Sequence, residues 1–370
     1  MTRIKMMGQQ VEFGFMIAAS DVEPTPDLDL YRGMIEDARF GYELGFRTVW
    51  TPEHHFSSYF PTPSPLMLMS NIAARCPGLG LGTMVLVTPW HNPVRLAGEI
   101  AMLSLMSDAP LHLGLGRGAA PLEYDAFDLK LEHAKERFQE VWEVLDRALS
   151  GKPFTYEGKH VRVPLEVRLR PDARRENIHF YGAIGSPDSA TKIAELDLPP
   201  ISNGTLPMDV QRRVLNTWHD VTLRRGGNTD VTKPVAISCI IADSDDEAEA
   251  LARAYMPRWF ELQVEHYRPD ENGFPTIPDY QSFAAVHERR TAYCNPDNLG
   301  PFSRLQLFGS PETVSERVQE YLDVGFNHLI VMAATPGIPQ QKRREWLSRF
   351  AREVAPNFSA QFGQHAGAAV

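Results

Sequence analysis

Eight short apolar runs, each followed by a helical pattern, constrain this chain more than any other feature. The runs are Val11–Ala19, Phe46–Thr51, Leu79–Val87, Pro110–Gly116, Ile178–Ala183, Leu198–Ser202, Pro234–Ala242 and His328–Ala333. Their apolar residues are mostly consecutive rather than alternating, as in strands buried on both faces of a parallel sheet. Helical spacing fills the gaps. Pro93 precedes Leu96, Ile100 and Leu103; Phe138, Val141, Trp142 and Leu145 share one face; and Ser186-Pro187 and Ser310-Pro311 each place proline in a first turn. Eight strand–helix units in series is the count of a (β/α)8 TIM barrel, an α/β fold. An open doubly wound sheet is the rival, but no GxGxxG follows the first run and no linker interrupts the series. The expectation is one domain over residues 1–358, a TIM barrel with insertions.

Length and charge then narrow the function classes. The chain has 370 residues, is 43% hydrophobic and carries a net charge of −10. A sizeable core is available, and the acidic balance argues against nucleic acid or an anionic membrane as partner. Cys76, Cys239 and Cys294 are odd in number and form no CxxC, which excludes a disulfide framework and fits a reducing cytoplasm. No run reaches the ~18 uninterrupted apolar residues of a membrane span. Two stretches break the strand–helix rhythm. Residues 151–177, rich in Pro, Arg and Gly, suggest a small hairpin insert. Residues 267–304 have little periodicity and suggest a structureless lid loop. The tail, 359–370, is expected to be disordered.

In a barrel the residues just after each strand line the chemical face. Those positions hold Ser20 and Asp21; Glu53, His54, His55 and Phe56; Thr88, Trp90, His91 and Asn92; Arg117; Gly185, Ser186 and Ser189; and Asn203. Gly114-Leu-Gly-Arg-Gly118 offers free backbone N–H groups and an arginine that can grip a phosphate. Ser186 and Ser189 open a helix, a natural seat for the same anion, on the neighbouring strand. The Glu53-His54-His55 run allows either a metal site, with His91, His112 or His179, or acid–base work by one histidine. Neighbouring residues on extended chain point apart, and His112 and His179 lie early in their strands, so the metal option is the weaker.

Several ordered segments give the chain a family likeness. They are Glu43-Leu-Gly-Phe-Arg-Thr-Val-Trp-Thr-Pro-Glu-His-His-Phe56, Leu81-Gly-Thr-Met-Val-Leu86, His91-Asn-Pro-Val-Arg95, Gly114-Leu-Gly-Arg-Gly118, Glu132-His-Ala-Lys-Glu-Arg-Phe138, Gly185-Ser-Pro-Asp-Ser-Ala190 and Gly309-Ser-Pro-Glu-Thr-Val314. Together they resemble the bacterial luciferase-like, flavin-dependent monooxygenases. The resemblance implies a barrel that takes reduced FMN from a separate flavin reductase and O2 as co-substrate. It also implies that a C4a-peroxyflavin oxygenates a small, apolar organic substrate. It places the flavin phosphate on Arg117 and Ser186 with Ser189 beside them, flanked by Gly118 and Gly185. A cis peptide is expected at Met84-Val85 against the ring, and Glu53 joins the cofactor-binding set. His54 matches the catalytic histidine; His55, Phe56 and Trp90 are expected to line the substrate pocket. No metal is expected, and a cytoplasmic homodimer is. Gly116 stands where luciferase has a reactive cysteine, which argues against light emission and implies extra room beside the flavin. Glu123 sits at an acidic position without an assigned role. A deazaflavin-dependent oxidoreductase of the same superfamily is the alternative, ahead of a metal-dependent barrel hydrolase and a non-catalytic flavin-binding subunit.

Overall fold

The computed structural model of the protein describes residues 11–19, 23–269 and 281–363. Eleven strands are present among them: β1 Glu12–Met16, β2 Thr48–Thr51, β3 Gly80–Val87, β4 Leu111–Gly116, β5 Phe154–Glu157, β6 Arg162–Val167, β7 Ile178–Ala183, β8 Pro200–Asn203, β9 Pro234–Ile241, β10 Leu307–Gly309 and β11 His328–Met332. Eight of them, β1, β2, β3, β4, β7, β8, β9 and β11, pair in parallel in that order, and β11 pairs back with β1. The sheet is therefore a closed eight-stranded barrel, as the apolar runs imply. Continuous burial is clearest in β9, where all eight residues are buried. The barrel interior is filled by Trp50, fully buried, and it fits because its neighbours lack side chains. A Cβ on Gly82 would lie 2.3 Å from the indole, and one on Gly14 would lie 2.6 Å from its Nε1. Shape matching of this kind fixes which strands can be neighbours.

One strand, β10, was not legible in the sequence. Pro199 and Pro200 lack N–H groups, so β8 begins late and has four residues. It pairs with β9 only at Ser202↔Val235 and Asn203↔Ala236. Farther along the same strand, β10 pairs with Cys239, Ile240 and Ile241. The gap between them is bridged by a side chain. The Gln306 amide donates to the Gly204 carbonyl (2.7 Å) and accepts from the Ser238 N–H (3.0 Å). Gln306→Ala removes both bonds from buried backbone. Since a buried unpaired group costs about 1–3 kcal/mol, urea unfolding is expected to show a loss of roughly 2 kcal/mol or more.

The insertions also take shape. Residues 151–177 contain the antiparallel pair β5–β6, anchored by Tyr156↔Val163. The 267–304 segment is not the structureless loop its composition suggests. It holds helices at Gln281–Tyr293 and Gly300–Ser303, with Leu299 and Phe302 buried against Trp259, Phe260 and Phe308. Sparse aromatic anchors, not a periodic stripe, order it; residues 270–280 lie outside the described residues. The tail expectation is corrected for residues 359–363. Ala360–Gly363 is helical, and the Phe362 ring packs against Phe46 (5.1 Å) and Phe13 (6.0 Å). Residues 364–370 lie outside the described residues.

Candidate active site

The turn after β2 builds the site from the inside out. Glu53 is buried, and its Oε2 accepts the Val87 N–H at the end of β3 (2.8 Å). Its Oε1 faces Nε2 of His91 (2.8 Å) and of His55 (3.2 Å). Burial alone would push this carboxyl up. The hydrogen bonds from His55, His91 and the Val87 N–H outweigh it and hold Glu53 below its ordinary value. Burial pulls His91 down, and the Glu53 carboxylate more than reverses it. Glu53, expected in the cofactor-binding set, has both oxygens engaged by protein groups and braces the turn. His55 is held by Glu53 and edge-on to Trp90 (5.3 Å) and Phe127 (5.0 Å). Phe56, exposed and at φ 61°, also meets Phe127 (5.2 Å).

A second carboxylate organises His54. Glu123, on the short helix Pro121–Ala126 after β4, is 1% exposed. Its Oε1 accepts the His55 N–H (2.8 Å) and lies 3.4 Å from His54 Nδ1; its Oε2 lies 3.3 Å from His266 Nε2. Ser57 Oγ meets His266 Nδ1 at 2.7 Å. Burial would raise the Glu123 carboxyl, but His266 and His54 bring it down to about 2. Burial lowers His266, and Glu123 restores only part of that. Tyr59 packs at a tilt against both imidazoles (4.7 and 5.2 Å), and Tyr267 meets His54 edge-on at 6.1 Å. The Arg290 guanidinium lies 4.1 Å over the Tyr267 ring, so the 281–293 helix returns to this mouth.

The residues expected to bind an anion follow the adjacent strands β4 and β7, in register from Leu111↔Ile178 to Leu115↔Gly182. Arg117 is half-buried at the end of β4, and its carbonyl accepts the Tyr124 hydroxyl. Gly118 follows at φ 69°, where a Cβ would press on Val87 (2.6 Å) and Trp90 (3.1 Å). After β7, the helix Pro187–Glu195 opens with a capping box: Ser186 Oγ accepts the Ser189 N–H, and Ser189 Oγ accepts the N–H of Gly185 and Ser186. The Ser189 hydroxyl is thereby used within the cap, while Ser186 remains exposed. A Cβ on Gly185 would meet nothing within 4 Å, so the space before this helix start is open. An arginine at the end of one strand and a helix N-terminus after its neighbour are the two kinds of group that suit the phosphate of a flavin or deazaflavin.

Between these two groups β3 bulges. The Met84–Val85 peptide is cis, the β3–β4 register shifts between Thr83 and Leu86, and both residues are only half-buried. The extra room expected at Gly116 is absent: a Cβ there would lie 2.4 Å from Val85 Cγ2. Val85 already fills the space a larger residue would need. Gly116→Cys is expected to destabilise the protein, and the double variant Gly116→Cys/Val85→Ala to recover most of the loss; thermal melts of the two check this.

Other polar groupings lie elsewhere. His112 and His179 stack (5.2 Å) at the opposite, N-terminal end of the barrel, where His112 Nδ1 meets the Tyr181 hydroxyl (3.0 Å). A cavity of about 760 Å³ opens there between Glu12, His179, Tyr181 and Thr232. Catalytic groups in this architecture gather at the other end, so cavity size does not mark the chemistry here. His112 and His179 are thus separated from His54 and His91, so those four do not form one ligand set. Two groups are close enough together to hold a metal ion: His54, Glu123 and His266 in the mouth, and His133, Glu136 and His160 on the exterior.

The family model for luciferase-like monooxygenases matches residues 11–328. The chain belongs to that family. The oxygenase component of a flavin-dependent trigonelline monooxygenase from Acinetobacter baylyi is 22% identical over 345 residues, 89% of this chain and 90% of that one. Among solved structures, the oxygenating constituent of 3,6-diketocamphane monooxygenase from Pseudomonas putida, in complex with FMN, superposes with a TM-score of 0.73 at 20% identity, covering 94% and 99% of the two chains. An F420-dependent secondary alcohol dehydrogenase superposes at 0.72 with 13% identity, covering 92% and 98%. The same fold thus occurs in a structure described as an FMN complex and in one described as F420-dependent. No helix among the described residues is long and apolar enough to cross a membrane.

Of the residues read from the sequence, the structure brings Glu53, His54, His55, Phe56 and Trp90 into one mouth. It places Met84 and Val85 on the β3 bulge, and Arg117, Gly118, Gly185, Ser186 and Ser189 on the next two strands. Ser20 and Asp21 lie outside the described residues. Sequence reading left Glu123 without a role and missed His266, Ser57 and Tyr59 altogether. A glutamate inside the apolar turn Pro121-Leu-Glu-Tyr124 was a usable signal for Glu123; His266, 143 positions later, had no local one.

Proposed function

We propose that this luciferase-like oxidoreductase is a two-component monooxygenase that takes reduced FMN from a separate reductase and uses O2 to oxygenate a small, largely apolar substrate. The observation that carries this reading is that Arg117 and the Ser186 helix start follow adjacent strands, β4 and β7, at the same barrel end as a histidine 3.4 Å from a buried carboxylate. When bound, the reduced flavin supplies the electrons by which one atom of O2 passes to substrate. The chain's own residues do the rest. Arg117 and the helix N-terminus hold the phosphate and set the position of the ring. Met84 and Val85 offer it a half-buried wall. His54 holds or gives up a proton at its imidazole, with Glu123 behind it. Phe56, Phe127, Tyr59 and Tyr267 form apolar walls that exclude water. The relatives described as oxygenase component and oxygenating constituent support delivery of flavin by a partner.

The second reading is F420-dependent hydride transfer, supported by the F420 dehydrogenase of similar fold, since the phosphate seat suits either cofactor. Anaerobic titration with reduced FMN and with reduced F420 separates them. Reduced FMN is expected to bind and, on admission of O2, to reoxidise at a rate altered by the protein. Binding of reduced F420 alone would overturn the FMN reading. Exposed Met67, Met102, Leu105 and Met106 on the adjoining helices Pro65–Arg75 and Pro93–Met106 support pairing with a second copy.

A further inference from the structure

We propose that Glu123 and His266 are positioning residues that fix the orientation and proton affinity of His54. The proposal rests on the reading of His54 as the acid–base group. One carboxylate lies between two imidazoles, with Oε1 toward His54 Nδ1 (3.4 Å) and Oε2 toward His266 Nε2 (3.3 Å). Both nitrogens are buried and make no hydrogen bond among the described residues; Glu123, at ion-pair distance, is the charged group each one meets. The carboxylate is kept from turning by the His55 N–H on Oε1 (2.8 Å). His266 is kept from turning by Ser57 on its Nδ1 (2.7 Å), at the last residue of the helix Asp245–His266. With Nδ1 directed at Glu123, Nε2 is the His54 nitrogen left for the mouth.

This arrangement is a competition. A proton on either imidazole draws on the same carboxylate and weakens the hold on the other. The remaining polar groups facing the pair are Tyr59, Tyr267, Ser57 and Arg290. Burial pushes Tyr59 up to about 12 and Tyr267 upward as well, so both stay protonated. Arg290 is directed onto the Tyr267 ring. His266 serves as a counterweight: it shares with His54 the one carboxylate that holds both.

The test is imidazole NMR on ¹⁵N-labelled protein without flavin, titrated from pH 5 to 9. Glu123→Gln is expected to lower the His54 pKa by about one unit or more, the smaller end of a close opposite-charge effect, and to mix its tautomers. His266→Asn is expected to raise it, because the carboxylate then serves His54 alone. Packing changes alone have no reason to give opposite signs. Shifts of the same sign, or none, would overturn the proposal. So would equimolar Zn²⁺ abolishing both titrations, which would assign the trio to a cation. If Glu123→Gln fails to fold, His266→Asn carries the sign test. Because no flavin is present, failure here leaves the cofactor reading intact; that reading stands or falls on the FMN titration.

Discussion

Replacing His54 with alanine is expected to lower product formation by about 100- to 10,000-fold, the contribution of a well-placed acid–base group. Reduced flavin should still bind within about twofold, since the phosphate seat belongs to β4 and β7 and His54 to the turn after β2. The prediction is sharp because of how the histidine is held. His54 is mostly buried, packed against Tyr59 and His266, and directed at a carboxylate brought down to about 2. Alanine leaves Glu123 with the His266 contact and the His55 N–H, so the carboxylate retains partners and the fold should survive. The measurement is oxygenated product set against hydrogen peroxide released per flavin consumed. Product formed at the wild-type rate would falsify the assignment of His54.

Arg117→Ala should weaken FMN by roughly 10- to 100-fold while leaving riboflavin nearly unchanged. The factor corresponds to the ~1.5–3 kcal/mol of a hydrogen bond to a charged group. Riboflavin has the same ring without the phosphate, so the ratio of the two affinities isolates the seat. The open space before Gly185 and the exposed Ser186 leave the helix N-terminus able to hold part of the anion, so binding is reduced and not lost. Equal weakening of both ligands would place Arg117 in a structural role instead.

The barrel was legible because its signal is repeated. Eight apolar runs report the same burial on both faces, and an error in one does not change the count. Its ends were legible because polar residues concentrate after the strands. The rest failed for identifiable reasons. β10 has three residues, too few for a periodic pattern, and its partner β8 is cut short by two prolines. Glu53 was visible as an acid at a strand end, but only coordinates reveal that both its oxygens are already engaged. The room imagined at Gly116 was an inference from one residue, whereas the space depends on Val85, 31 positions away and pushed outward at the β3 bulge. His266 approaches His54 from a helix more than 200 residues downstream, and nothing local to either announces the other. Contacts of this kind are properties of the closed barrel and not of any segment.

The region between His266 and Gln306 has both ends fixed. At one end the His266 side chain is fully buried beside Glu123; at the other, Gln306 is bonded into the barrel wall. For a segment already pinned in this way, the entropic cost of changing its length is small: doubling a flexible loop adds only about 0.6 kcal/mol. Insertions and deletions near residues 270–280 should therefore leave the acid–base pair and the phosphate seat undisturbed. Evolution, or an engineer, can vary the length of this region while the barrel beneath it stays constant.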